Sequence, residues 1–314
     1  TICIAPMLDK TDRHFRYFAR LLTQHALLYT EMITTGAILK GDTEYQLKYH
    51  TAEHPLALQL GGSNPQEMGG CAQIAQDYGY DEVNINVGCP SDRVQSGRFG
   101  ACLMAEPQVI ADCVGEMRSR VDIPVTVKTR IGIDHDDSYQ ALCHFVDTVA
   151  QAGCQTFIIH ARKAWLNGLS PKENREVPPL RYDVVYQLKR DFTDLEIIIN
   201  GGITSLTEAA EHLQQVDGVM IGREAYSNPF MLSQVDQLFY GSSAPAIDRK
   251  TALQELLPYI EQEHAKGTHI RHITRHILGL VQGMPGAREW RRRLSDGQSL
   301  SMNTLKELIG TIAS

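Results

Sequence analysis

The feature that most constrains this chain is a rhythm. Eight short β-branched or apolar runs alternate with stretches of helical periodicity. The runs are Ile2–Pro6, Leu27–Glu31, Leu56–Leu60, Glu82–Val87, Val125–Arg130, Thr156–His160, Glu196–Asn200 and Gly218–Ile221. Between them, helices are predicted over Gln66–Tyr78, Pro107–Arg120, Ser138–Ala152, Tyr182–Phe192 and Leu206–Leu213, among others. Strands that alternate with helices in this order pair in parallel, because each helix carries the chain back to the starting edge. Eight such units in about 240 residues have the length and order of a (β/α)8 TIM barrel. A doubly wound open sheet is the alternative, but it usually carries a glycine-rich phosphate loop after its first strand. Here that strand ends in Pro6-Met7-Leu8-Asp9, with no glycine.

The rhythm stops at Gly241-Ser242-Ser243-Ala244-Pro245-Ala246-Ile247-Asp248, whose small residues and proline read as a linker. Beyond it, helices are predicted at Lys250–Lys266, Ile270–Gln282, Ala287–Leu294 and Asn303–Ile312. We therefore expect a barrel over 1–241, a linker over 242–248 and a small C-terminal α-helical bundle over 249–314. Charge divides the same way. The chain carries −7 in total, yet residues 249–314 hold ten Lys+Arg and six Asp+Glu, a net of +4 that leaves −11 on residues 1–248. A basic segment on an acidic body suggests a local contact with a polyanion, although on charge alone ordinary surface variation is the favoured reading.

With 314 residues, 43% of them hydrophobic, the chain can bury a sizeable core. No apolar run reaches the roughly 18 residues of a membrane span. No basic region followed by an apolar stretch opens the sequence, so no secretory signal is expected. Seven cysteines stand at 3, 71, 89, 102, 113, 143 and 154, an odd number without a C-x-x-C pair. That argues against a disulfide framework or a zinc site and fits a reducing cytoplasm. We expect a cytoplasmic monomer without a metal.

In a barrel the C-terminal ends of the strands face the active site. Polar groups concentrate there: Gln59; Asn84, Asn86 and Cys89; Lys128 and Arg130; His160 and Arg162; Asn200-Gly201-Gly202; Gly222-Arg223. Core packing would favour Val, Ile and Leu at such positions. Glycines after the last two strands let backbone N–H groups approach an anion, and a helix beginning near Glu224 adds its N-terminal dipole and Arg223 a full charge. This pattern predicts a phosphate site. Lys128 could stabilise negative charge on a reduced flavin, with Gln59 at a ring edge and Pro6-Met7 against its face. A sugar-phosphate lyase or isomerase, with Lys128 forming a Schiff base, is an equal alternative on these residues alone.

Gly88 and Pro90 shape a tight turn around Cys89 that would aim the thiol into the barrel mouth. An ordinary cysteine, with a pKa near 8.5, is mostly thiol at neutral pH, by roughly thirty to one, and so is ready to donate a proton. Nucleophilic catalysis would instead need a lowered pKa, which Arg93 or Lys128 could provide. The other six cysteines fall on strand or helix faces and read as structural.

The run Val83-Asn84-Ile85-Asn86-Val87-Gly88-Cys89-Pro90, followed by Val94 and Gly100-Ala101, resembles the signature of the tRNA-dihydrouridine synthases. The resemblance spans the chain, through Ala5-Pro6-Met7, Val127-Lys128-Thr129-Arg130, His160-Ala161-Arg162, Asn200-Gly201-Gly202 and Gly222-Arg223. The stretch from His160 to Lys172 is similar to the A-type subfamily, and Ser91 and Asp92 stand where many other members carry basic residues. The resemblance implies FMN in the barrel mouth, contacted by Pro6, Met7, Leu8, Gln59, Lys128 and His160. Its phosphate would lie on Asn200, Gly201, Gly202, Gly222 and Arg223. It further implies NADPH as the flavin reductant, hydride transfer from the flavin to C6 of uracil, and protonation of C5 by Cys89. Asn86 would orient the base, and the targets would be D-loop uridines 20 and 20a of tRNA.

Such a base must be turned out of the folded RNA, so affinity must come largely from phosphate contacts. Lys172 and Arg175, in the long loop after the sixth strand, are one candidate group. Arg288, Arg291 and Arg292 are another, sharing one helix face by their spacing, with Arg271, Arg275 and the histidines at 269, 272 and 276 as extensions. Two further readings remain: a flavin-dependent reductase of a free pyrimidine or other small molecule, and a binding role in which the RNA surface matters and the barrel chemistry is secondary.

Overall fold

The computed structural model describes residues 1–296 and 300–312. Eight parallel strands close into a barrel in sequence order. They are β1 (Ile2–Ile4), β2 (Leu27–Thr34), β3 (Leu56–Gly61), β4 (Glu82–Val87), β5 (Val125–Arg130), β6 (Thr156–His160), β7 (Glu196–Asn200) and β8 (Gly218–Ile221). Closure comes from β1 pairing with β8, Ile4 opposite Ile221. The fold is the predicted (β/α)8 barrel, and β4 to β8 have the expected bounds. β1 is shorter because Pro6 has no N–H, although the Ala5 N–H still bonds the Ile221 carbonyl at 2.9 Å. β2 runs on to Thr34, with a register irregularity between Tyr29 and Met32.

The strands alternate faces. Ile2, Ile4, Val83, Ile85, Val87, Val125, Val127, Phe157, Ile159, Ile197, Ile199, Val219 and Ile221 point outward into a core shared with the surrounding helices. Each such buried side chain contributes roughly 1.5–3 kcal/mol. This outer layer carries the stability and leaves the barrel interior free for other work. The interior holds a smaller apolar cluster of Cys3, Ala5, Tyr29, Ala57, Ile158, Ile198 and Met220, with Met7 packed against it. Leu27 also packs against it, and Gln59, Glu82, Asn84, Asn86 and Thr126 make much of the remaining interior polar.

Helices form where caps and apolar stripes agree. Pro65–Tyr78 starts from an Asn64 cap with proline at its first turn and stops at Gly79, whose φ of 93° needs no Cβ. Residues 241–248 contain no helix or strand. The C-terminal helices are Arg249–Ala265, Ile270–Thr274, Ala287–Ser295 and Met302–Gly310. The helix expected over Ile270–Gln282 is a correction: it ends at Thr274, tightens into a 3-10 turn at Arg275–Ile277 and continues as turns. Gly279 lies so close to the barrel that a Cβ there would sit 2.1 Å from the Ser227 carbonyl oxygen. Contact with the barrel, not local propensity, sets the path of this segment.

The bundle docks on the helix Arg13–Leu22. Tyr17 and Tyr259 stack at 3.9 Å, Arg13 pairs with Glu263 at 2.6 Å, and the His14 ring bonds the Tyr259 hydroxyl at 2.8 Å. Asp12 caps that helix and also takes Arg275 at 2.6 Å and His276 at 2.9 Å. The apolar core runs without a break from Phe15 and Phe18 to Leu256, Ile260, Ile273 and Trp290.

Candidate active site

Strand β4 delivers Cys89 on a turn held from several sides. The Asn86 side-chain oxygen accepts the N–H groups of Gly88 (3.1 Å) and Cys89 (3.0 Å). Arg130 Nε donates to the Gly88 carbonyl at 2.8 Å, and the Ala101 N–H donates to the Cys89 carbonyl at 2.9 Å. Gly100, at φ 78°, passes so near that a Cβ would lie 2.6 Å from the Cys89 carbonyl oxygen. Cys89 is half-buried, with its Sγ 3.6 Å from the Ser91 hydroxyl. The side chain of Arg93 lies outside the described residues.

Strand β5 supplies Lys128 and Arg130. Arg130 is buried and also spans to the carbonyls of Lys163 and Asn174, each at 3.0 Å, which ties the Cys89 turn to the loop after β6. Burial first, and then the Arg175 and Arg162 charges, push the Arg130 guanidinium down to about 10. Lys128 has no hydrogen-bond or ion-pair partner among the described residues. Burial and the Arg130 charge push its amine down to about 7. His160, at the end of β6, is pushed well below the usual histidine range by burial and by Arg130, Lys128, Arg162 and Arg175, so its ring is neutral. A bound anion, or charge developing on a bound ring, would relieve this excess of positive charge.

The turns after β7 and β8 form a cradle. Gly201 and Gly202 have φ of 116° and 75°, and a Cβ on Gly201 would lie 2.6 Å from His160 Cδ2. Asn200 bridges to β8 through the Met220 carbonyl at 2.8 Å. Gly222 precedes the short helix Arg223–Ser227. Among the described residues, the N–H groups of Gly201, Gly202, Gly222 and Arg223 make no backbone bond in a turn or loop. Arg162 donates to the Pro178 carbonyl, yet its Nε is buried without a partner. Open N–H groups, a close backbone and an orphaned guanidinium nitrogen suit a phosphate. Arg223 is less available than expected: its guanidinium pairs with Glu176 at 2.9 Å, both partly exposed.

The other expected site residues divide. Gln59 and Asn86 meet in the barrel interior, with Asn86 Nδ2 donating to Gln59 Oε1 at 2.9 Å. Pro6 and Met7 are half-buried above the interior, whereas Leu8 is 74% exposed and lies on the rim. Lys172 and Arg175 are exposed on the β6 loop, and Arg175 is near enough to the mouth to depress Lys10 and His160. Arg288, Arg291 and Arg292 are exposed on the helix Ala287–Ser295, whose other face buries Trp290 and Leu294. Arg292 is tied to Glu289 at 2.7 Å, while Arg288 and Arg291 have no ion-pair partner among the described residues. Sequence reasoning overlooked the buried Glu82 and Thr126. The polar alternation Glu82, Asn84, Asn86 along β4 was the signal that could have revealed a polar barrel interior.

Fold and mouth together define a (β/α)8-barrel protein with a glycine-lined cradle of open backbone N–H groups and a free thiol at its C-terminal face. The chain belongs to the dihydrouridine synthase family, whose model matches residues 3–312. It is 66% identical over 296 residues to the tRNA-dihydrouridine(20/20a) synthase of Shewanella oneidensis, covering 94% of this chain and 88% of that protein. It is 60% identical over 314 residues to the enzyme of the same name from Escherichia coli K12, covering 99% of this chain and 91% of that one. Among solved structures, an old yellow enzyme homologue from Zymomonas mobilis superposes with a TM-score of 0.54 at 12% identity, over 79% of this chain and 90% of that one. A 2-naphthoyl-CoA reductase complex gives 0.57 at 10% identity, over 75% of this chain and 50% of that one. At such identities the likeness is one of fold.

Proposed function

We propose that this chain reduces uridines 20 and 20a in the D-loop of tRNA to 5,6-dihydrouridine, with FMN in the barrel mouth and NADPH as electron donor. The observation that carries this reading is the sharing of one mouth by the Cys89 turn, the unpartnered Lys128 and the glycine cradle after β7 and β8. The names of the relatives support the substrate. FMN would have its phosphate on Gly201, Gly202, Gly222, Arg223 and the open Arg162 Nε, and its ring beside Pro6, Met7, Gln59, Lys128 and His160. Bound there and reduced, it supplies hydride to C6 of the uracil. Lys128 offers a positive charge where negative charge gathers, and neutral His160 can donate a hydrogen bond without competing for a proton. Cys89 holds the proton for C5 on a turn whose backbone is fixed at both carbonyl and N–H.

The target base is turned out of the RNA to reach this mouth. Lys172 and Arg175 beside it, and Arg288 and Arg291 on the C-terminal bundle over 249–314, neutralise RNA phosphates. All seven cysteines are unpaired, which supports a reducing, cytoplasmic setting. One chain carries every residue assigned, so a monomer suffices.

Cys89→Ala is the direct test. The variant should bind flavin and oxidise NADPH but form no dihydrouridine, measured by mass spectrometry of tRNA at positions 20 and 20a. Reduction at the wild-type rate would remove Cys89 as the acid. Protein that binds no added FMN would remove the flavin reading.

A further inference from the structure

A directed column of hydrogen bonds runs through the barrel interior beneath the Cys89 turn. Asn86 Nδ2 donates to Gln59 Oε1 at 2.9 Å, and Gln59 Nε2 donates to Asn84 Oδ1 at 2.8 Å. Asn84 Nδ2 then donates to the Thr126 hydroxyl at 2.9 Å, and that hydroxyl donates to Glu82 Oε1 at 2.6 Å. Tyr29 gives the same carboxylate oxygen a second donor at 2.7 Å. All six side chains are buried.

The direction of this column is fixed at both ends. At the top, the Gly88 and Cys89 N–H groups can only donate, so Asn86 must turn its oxygen to them and its NH2 to Gln59. Each amide then has one allowed orientation down to Thr126, whose own proton must find an acceptor. Glu82 Oε1 is that acceptor. Reversing any amide would set donor against donor, or oxygen against oxygen, in a buried site.

We propose that Glu82, Thr126 and Asn84 are positioning residues for the uridine reduction. They fix which edge Gln59 and Asn86 present to the mouth and keep the Cys89 turn closed. This rests on the reading that Cys89 and the barrel mouth perform the reaction. The column needs an acceptor at its foot, not a charge, so Glu82→Gln preserves it. Thr126→Ser keeps both hydroxyl roles, and Thr126→Val, of similar shape, abolishes both.

The test compares these variants in flavin-free protein and in the loaded enzyme. Iodoacetamide alkylation is followed site by site by peptide mass spectrometry, with half-buried Cys143 as internal reference. Thr126→Val should speed alkylation of Cys89 relative to Cys143 by about threefold or more, as the Asn86 oxygen leaves the turn. At saturating tRNA it should lower kcat by about five- to tenfold, the scale of one lost buried hydrogen bond, with little change in KM. Thr126→Ser and Glu82→Gln should stay within about twofold of wild type in both, even where Tm falls. A Thr126→Val protein with a lower Tm but wild-type Cys89 alkylation and kcat would reduce the column to a merely structural role. Should that variant fail to fold, the wild-type protein still decides: the side-chain NH2 groups of Asn84 and Asn86 should exchange with solvent far more slowly than those of exposed Asn303, by NMR. Equal rates overturn the proposal. An active Cys89→Ala enzyme would remove the acid assignment while leaving the alkylation comparison to judge the column by itself.

Discussion

Lys128 concentrates the chemistry of the mouth in one residue. It has no partner of its own among the described residues, and burial and Arg130 push its amine down to about 7. In the unfolded chain the same amine titrates near 10.4, so between about 7 and 10 the unfolded state binds the extra proton. Native stability therefore rises with pH across that window, and the contribution is lost as pH falls toward 7. Lys128→Met should flatten this rise, as read from urea melts of flavin-free protein at pH 7 and pH 9. A negative charge placed beside Lys128 favours the ammonium. Binding of reduced FMN, whose ring carries that charge, at pH 8 without oxygen should thus take up as much as about one proton, seen by calorimetry in buffers of different ionisation enthalpy, and the methionine variant should take up none. If proton uptake is equal in both proteins, Lys128 does not face the bound anion.

At the scale of elements, Gly201 shows how a strand end becomes a site. Its φ of 116° and its approach to His160 leave no room for a methyl group. Gly201→Ala should destabilise the protein by about 2 kcal/mol and weaken FMN binding at least tenfold, by urea melts and fluorescence titration. An alanine variant with normal affinity would show that the β7 turn does not touch the phosphate. This turn was legible in the sequence because a barrel puts the ends of its strands on one face, so Lys128, His160 and Gly201 could be placed together without knowing any contact. The β4 to β8 bounds were legible because their apolar runs end in turn residues or charge. Elements built on distant polar contacts were not. The helix Arg13–Leu22 buries Arg16 and Arg20, which break its apolar stripe. Besides nearby carbonyls at Thr11, Thr23 and Ala26, their partners are the Glu53 carboxylate and the carbonyls of Glu53 and Pro55, more than a helix length away. Thr126 and Asn84 likewise meet only because β4 and β5 lie side by side. Glu82 adds a pH signature to this interior: burial pushes its carboxyl up to about 7. The folded state then binds the extra proton between about 4.5 and 7, so this group makes stability fall as pH rises through that range. Glu82→Gln should remove that fall in urea melts; a slope equal to wild type would mean another group causes it.

For the whole molecule, the question is how an acidic body holds a polyanion. The positive charge is gathered in residues 249–314, and these are not loosely tethered. The Tyr17–Tyr259 stack, the Arg13–Glu263 pair and the Asp12 contacts with Arg275 and His276 seat the bundle on the helix Arg13–Leu22. That helix follows directly on the rim loop after β1, so the basic helix face has a set position relative to the barrel mouth. RNA phosphates meeting that face would release counterions, and affinity would fall steeply with salt. Arg288→Ala with Arg291→Ala should weaken tRNA binding and lower the slope of log affinity against log salt by about 1–2. Arg292→Ala should do less, because Glu289 already neutralises that guanidinium. Filter binding between 50 and 200 mM salt, the range over which such contacts are usually resolved, separates the two variants. If the double variant keeps the wild-type slope, the phosphates are held at the mouth by Lys172 and Arg175, and the bundle serves to shape the rim rather than to grip the RNA.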